Sequence, residues 1–360
     1  MGRSRISFDD VSAEEWAALY REMGRQSVLG LAYPVVAEPA VPGLPKELCL
    51  KWFYQAEAVR ALNQKNYELS RELTEKFSEQ GARTAILKGQ ANSRLYPNKF
   101  IRQTGDVDLW VDGGREYVVD LLSRMGLLDN ALFSRHEVTL PASVFGVEVE
   151  VHFDCIYDCS NPFANKRLKR ILAEELQKNQ LVPEGFYVPT NKFALLMQLS
   201  HIRKHFIGLG VGMRQLIDYL VLLRSASSAE RSEVAALLKP LGLAHFAAAV
   251  MWILSEKLGL ESDCLLCAPD AYRGRVLLRE VFADGNFGKF SGRKRGSVYL
   301  WWLRNRLRVF TLLRFDFAEV SWHLLKYWAS FLRLMPERIG ALRRTRKGVP
   351  RDTRIIRRRR

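Results

Sequence analysis

Asp106 and Asp108 are one residue apart in Asp106-Val107-Asp108-Leu109-Trp110-Val111, a run whose apolar members predict a β-strand. A strand alternates its side chains, so both carboxylates project from one face while Val107 and Leu109 project from the other. Two carboxylates on one face of a dry strand are costly unless a cation neutralises them. A divalent ion, Mg²⁺ or alternatively Mn²⁺, would do so while taking phosphate and water as further oxygen ligands. Val147 to Asp154 repeats the pattern, with Glu148, Glu150, His152 and Asp154 on one face. If the two strands are neighbours, the chemistry they suit is metal-assisted phosphoryl transfer. Spacing alone leaves the third carboxylate open among Glu148, Glu150 and Asp154. An exposed amphipathic strand would show the same alternation.

Upstream, the apolar run Thr84 to Leu87 leads into Lys88-Gly89-Gln90-Ala91-Asn92-Ser93. Gly89 lets the backbone approach a ligand, and a helix starting there would offer amide hydrogens to phosphate. Ser93 could add a hydroxyl contact. The segment is neither GxxxxGK[ST] nor a glycine-rich dinucleotide fingerprint, which argues against a P-loop NTPase and a Rossmann enzyme. A helix-capping turn with a solvated Lys88 is the plainer reading. The five cysteines, at 49, 155, 159, 264 and 267, contain one close pair, Cys264 and Cys267, with no second pair or adjacent histidine to complete a zinc site.

These groups need a scaffold. Apolar spacing predicts a helix from residue 13, a turn-rich crossing over Pro34 to Pro45, and a long helix from about Glu47 to Gln80. Strands follow at Thr84 to Leu87, Asp106 to Val111 and Val147 to Phe153, with helices through Leu95 and over Arg115 to Met125, giving a small mixed sheet. From Lys192 onward the three- and four-residue recurrence predicts a mainly helical region to about residue 335. The expected organisation is an N-terminal helical segment (1–80), an α/β core (81–189), a helical domain (190–336) and a basic, flexible tail (337–360).

Three segments together resemble the polymerase-β-like nucleotidyltransferase superfamily, and within it an uncharacterised bacterial nucleotidyltransferase family. They are Ile86-Leu87-Lys88-Gly89, then Arg102-Gln103-Thr104-Gly105-Asp106-Val107-Asp108-Leu109-Trp110-Val111, then Val149-Glu150-Val151-His152. The region Leu199 to Leu223, with His201, His205, Arg214, Gln215 and Asp218, is also similar. The resemblance implies an α+β fold in which Asp106, Asp108 and Glu150 are the catalytic, metal-binding carboxylates. Lys88, Gly89, Ser93, Gly105 and Arg214 are the candidate nucleotide contacts. It implies transfer of a nucleoside monophosphate from a nucleoside triphosphate such as ATP to a hydroxyl-bearing acceptor, with release of pyrophosphate. The chain departs from the superfamily in carrying Lys-Gly where Gly-Ser is usual and Glu rather than Asp at the third carboxylate, for which Glu148 and Asp154 are substitutes. Spacing alone favours a packing or ion-pair role for His201/His205 and Arg214/Asp218. Rival readings are a catalytically degenerate nucleotide-binding protein and an RNA-modifying nucleotidyltransferase or toxin.

With 360 residues, 48% apolar, the chain can bury a substantial core. Of its net charge of +16, +10 lies in residues 338 to 360, which hold ten arginines and Lys347 against Asp352. Such a tail would attract nucleic acid or an anionic membrane surface without reading sequence. The aromatic stretch over 298–334 is interrupted by Arg304, Arg306, Arg308, Arg314 and Lys326, so amphipathic helices rather than a transmembrane span are expected. No secretory pattern opens the chain, and the scattered thiols suit a reducing compartment, so the expected location is cytoplasmic, with peripheral membrane association as the variant.

Overall fold

The computed structural model describes residues 8, 10–37, 41–154, 159–208, 210–285 and 308–346. Helix α1 (Ala13–Arg25) starts at a capping box in which Ser12 and Glu15 satisfy each other's backbone amides. α2 (Leu29–Val36) falls partly in the stretch expected to be turn-rich and carries Pro34 within it. α3 (Lys46–Glu79) is the long helix that the sequence predicts. Trp16, Leu29, Val36 and Trp52 form a small core where the three helices meet.

The sheet has five strands in the order β1 (Thr84–Ile86), β2 (Val107–Val111), β5 (Val149–His152), β4 (Glu137–Leu140), β3 (Leu132–Phe133). β2 and β5 are parallel and the other pairings antiparallel, so the sheet is mixed. The chain therefore has the expected α+β class, a small mixed sheet flanked by helical regions. Alternation sorts the side chains. Ile86, Val107, Leu109, Val111, Val138, Leu140, Val149 and Val151 join one core with Leu69, Leu73 and Phe77 of α3 and with Val118, Leu121 and Leu122 of α5 (Gly114–Arg124). Ala85, Leu87 and Trp110 face the other way, into the largest core.

That second core is helical. It is built from α7 (Pro162–Leu176), α8 (Asn191–Gly208), α9 (Met213–Ser225), α10 (Ser228–Leu238), α11 (Ala244–Leu258) and α12 (Ala271–Asp284). Two four-residue helices, α4 (Gln90–Ser93) and α6 (Ala142–Phe145), lie in connections of the sheet region. Residues 308–315 are helical, and a last helix runs over Phe317–Arg346. Its start is anchored by Glu319, which accepts from Ser160 N at 2.6 Å and lies 3.3 Å from Arg203. The backbone stays helical to Arg346, ten residues past Pro336, where the sequence reading placed the onset of a flexible tail; Pro336 costs a helix one hydrogen bond but does not end this one. Residues 347–360, Cys155, Trp301, Trp302, Arg304 and Arg306 lie outside the described residues. Among the described residues, no helix is long and apolar enough to cross a membrane, and Cys49, Cys159, Cys264 and Cys267 are free thiols.

Candidate active site

The parallel register of β2 and β5 sets Asp108 opposite Glu150 and Trp110 opposite His152. Both acidic side chains leave the sheet on the face away from the α3 core, so the two strands bring together what the sequence placed 42 residues apart. One carboxylate oxygen each from Asp108 and Glu150 and one ring nitrogen of His152 lie within 4.8 Å of one another. Asp106 sits one residue before β2 and lines the adjoining cavity without joining that close group. Of the other third-carboxylate candidates, Glu148 is exposed, and only its carbonyl reaches β2, accepting from Val107 N at 3.0 Å. Asp154 turns to Lys169 at 2.6 Å.

Part of the neutralising charge comes from the chain itself. Lys88 Nζ lies 3.0 Å from Asp108 Oδ1, and His152 Nε2 lies 3.0 Å from the same oxygen. His152 is also 3.6 Å from Glu150 Oε2 and, through Nδ1, 3.2 Å from Glu137. Burial alone would deprotonate Lys88, but Asp108, Asp106 and Glu150 more than offset it and hold the ammonium above its ordinary range. Burial likewise disfavours a charged His152, yet the hydrogen bonds to Asp108 and Glu150 push it up to about 9. Asp108, despite burial, is held well below the usual carboxylate range by Lys88 and His152. The hydrogen bond from His152 draws Glu150 down, but burial and the charges of Asp108 and Asp106 outweigh it and carry the carboxyl up to about 7.

The Lys88-Gly89 turn delivers its lysine, not a helix N-terminus. Gly89 adopts φ +65° and ψ −105°, a conformation that suits glycine alone, which turns the chain directly after β1. The amides of Ala91, Asn92 and Ser93 fold back onto the carbonyls of Lys88 and Gly89. Ser93, a candidate phosphate contact in the sequence reading, is fully buried, its hydroxyl 2.8 Å from that of Tyr67. The four-residue α4 aims Ser93 at α3, and Ser93 is not among the residues that line the adjoining cavity.

The cavity, about 100 Å³, lies between the sheet and helices α8 and α9. Lys88, Gly89, Gly105, Asp106, Asp108, Arg102, His201 and Arg214 are among its walls. The loop before β2 is strapped to α3: Asn63 Nδ2 donates to the carbonyls of Phe100 and Arg102, and Asn66 Nδ2 to Gly105 O at 3.0 Å. Arg102 grips Asp218 with two hydrogen bonds of 2.6 and 2.7 Å, and Tyr96 donates to the same carboxylate at 2.7 Å. Asp218 thus pairs across the cavity with Arg102, not along α9 with Arg214. Arg214 donates to Gln103 O at 2.9 Å. The N-terminal helices hold the start of α9: Gln26 Oε1 accepts from Met213 N at 2.8 Å while Gln26 Nε2 donates to Val281 O at 3.0 Å. His201 and His205, one turn apart on α8, bring their Nε2 atoms to 2.9 Å.

Sequence reasoning missed Lys88, His152 and Arg102 as partners of these carboxylates. The same-face alternation of His152 with Glu150 was the available signal for one of them; the other two depend on which loops fold together.

Residues 12–259, more than half of the chain, match the family described as "Uncharacterised nucleotidyltransferase". The chain belongs to this family. A solved structure titled "Crystal structure of an antigenic nucleotidyltransferase-like protein from Paracoccidioides brasiliensis" is similar at 15% identity and a TM-score of 0.38, over 58% of this chain and 96% of that one. No curated protein matches the chain. For this nucleotidyltransferase-family chain, Asp108, Glu150 and His152 form a cluster with the chemistry to chelate a divalent ion.

Proposed function

We propose that the chain is a metal-dependent nucleotidyltransferase, moving a nucleoside monophosphate from a nucleoside triphosphate to a hydroxyl-bearing acceptor with release of pyrophosphate. The observation that carries this reading is the pairing of Asp108 with Glu150 on adjacent parallel strands, with Asp108 lining a cavity that Asp106 and two guanidinium groups also line. The donor set fits Mg²⁺ or Mn²⁺. Burial and the negative charges of Asp108 and Asp106 hold Glu150 up to about 7, so Lys88 and His152 leave part of the cluster's charge uncompensated. Asp106, Asp108 and Glu150 would hold the ion, which when bound stabilises charge on phosphoryl oxygens.

The protein's own groups supply the rest. Arg214, buried beside the Arg102–Asp218 pair, brings a cationic donor fork suited to phosphate. Glu150 or Asp108, side by side on the two strands, would orient the acceptor hydroxyl. A cavity of about 100 Å³ is smaller than the ~300 Å³ of a typical ligand pocket, so a nucleotide would place its phosphates inside and its base across the mouth.

The cations already engaging Asp108 favour one further reading, a degenerate site that binds nucleotide without turnover. Calorimetric titration with ATP, CTP, GTP and UTP, with and without Mg²⁺, tests both. Metal-dependent binding that Asp106→Ala and Asp108→Ala abolish is expected, with pyrophosphate release once an acceptor is supplied. Binding without pyrophosphate across a panel of acceptors supports the degenerate site. No binding of any triphosphate removes both.

A further inference from the structure

Asp108 Oδ1 receives two nitrogen donors at 3.0 Å, Lys88 Nζ and His152 Nε2. A carboxylate oxygen has two lone pairs, so Oδ1 is filled and a metal on Asp108 is left only the other oxygen, Oδ2. His152 is fixed by the β5 register and by Glu137 on its other side. Lys88 is fixed by the fold as well: Leu87 N donates to Asp108 O at 3.0 Å, Lys88 follows at once, and the Gly89 turn reverses the chain behind it. The lysine side chain is only 24% exposed and its carboxylate partner 1%. An ammonium on a strand end cannot diffuse away, unlike a bound ion.

We infer that Lys88 is a resident cation of the acidic cluster, occupying the position that a second divalent ion would otherwise take, so that the site binds one divalent ion. The inference rests on the metal-dependent reading above and goes further in fixing the number of ions and naming the side chain that fixes it. Two divalent ions beside Asp106, Asp108 and Glu150 would set four positive charges and the Lys88 ammonium against three carboxylates, whereas one ion together with Lys88 balances the three. Lys88 acts on the nucleotide through the carboxylates and the ion, which makes it a positioning residue.

The test counts Mn²⁺ bound to the full chain by electron paramagnetic resonance and calorimetry, for wild type, Lys88→Met and Lys88→Arg, with circular dichroism to check folding. One ion on wild type and on Lys88→Arg is expected. Lys88→Met should take up a second ion, or bind the first on the order of tenfold more tightly once the ammonium's repulsion is gone. Two ions on the wild type overturn the inference while leaving the metal-dependent reading intact, and this count needs no variant to fold. Equal number and affinity in wild type and a folded Lys88→Met also overturn it. Mn²⁺ bound only by Lys88→Met overturns the inference as well, because the wild-type site would then hold no ion. No Mn²⁺ on any of the three overturns the metal-dependent reading and the inference together.

Discussion

Replacing Asp218 by Asn should destabilise the chain by about 3–5 kcal/mol, because it strands a buried guanidinium. Asp218 and Arg102 side chains are each 6% exposed, and their two hydrogen bonds of 2.6 and 2.7 Å use both carboxylate oxygens. Asn keeps the shape but loses the charge, and its amide nitrogen would confront Arg102 or the Tyr96 hydroxyl that now donates at 2.7 Å. Replacing both partners by apolar residues, Arg102→Met with Asp218→Leu, removes charge and desolvation cost together, so it should cost less than the two single changes summed. Tyr96→Phe in that background removes the remaining orphaned hydroxyl. Urea unfolding followed by circular dichroism measures the cycle. Because Asp218 lies on α9 and Arg102 in the loop that leads to Asp106, the single change should also weaken triphosphate binding. A loss below about 1 kcal/mol for Asp218→Asn, or a double variant as costly as the sum, would refute the claim that this pair clamps the loop to the helical region.

The folded chain holds protons on Glu150 and His152 up to about 7 and about 9, where the unfolded chain releases them near 4.5 and 6.5. Stability of the metal-free chain should therefore be greatest below this range and fall as pH rises through it, while divalent-ion binding, which must displace those protons, tightens. Melting temperatures from about pH 5 to 9.5 with and without Mn²⁺ check both trends, and parallel curves would contradict them. Glu150→Gln should lower turnover by about a hundredfold while Glu148→Gln, changing an exposed side chain, alters it little; equal, small losses in steady-state rates would unseat Glu150. Removing residues 338–360, which carry a net charge of +10, should leave triphosphate binding intact and abolish most salt-sensitive retention on RNA, DNA or anionic vesicles. Unchanged retention from low to physiological salt would show that the contact lies elsewhere.

What the sequence made legible was whatever depends on local period. The long helix expected from about Glu47 to Gln80 runs over Lys46–Glu79, and the two acidic strands alternate as their residues require. β3 and β4 were missed because two and four residues, Leu132–Phe133 and Glu137–Leu140, are too short to show a period; they owe their strand state to pairing, β4 with β5 and β3 with β4. Charge partners were least legible. The four-residue spacing of Arg214 and Asp218 suggested a helix pair, yet two hydrogen bonds from Arg102, 116 residues away, outcompete it. The sequence reading offered a divalent ion to neutralise the two same-face carboxylates, and the chain running on from the antiparallel β1–β2 pairing puts Lys88 beside Asp108 as well. A helix start such as that before Ser93 reads the same in sequence whether it faces a ligand or another helix.

The acidic cluster lies where the sheet meets the helical region, and that junction is held partly by polar groups. Asn92 and Gln198 exchange two hydrogen bonds, of 3.0 and 2.9 Å, tying the turn after Lys88 to α8. The Arg102–Asp218 pair and the Arg214–Gln103 bond tie the loop before Asp106 to α9. All of these residues except Gln103 line the cavity. Apolar packing broken by opening has no substitute in water or in a nucleotide, but an amide pair or a guanidinium can trade one polar partner for another. Phosphate oxygens entering the cavity could take over donors of Arg214 at little net cost, whereas parting α3 from the sheet would expose Leu73 and Phe77 with nothing to pack against them. The space a nucleotide needs beyond about 100 Å³ is therefore gained most cheaply along the polar line between the sheet and α8–α9. That line already holds Lys88, Asp106 and Arg214, so on the proposed function opening there would bring the phosphates to the carboxylates without disturbing the β2–β5 register that pairs Asp108 with Glu150.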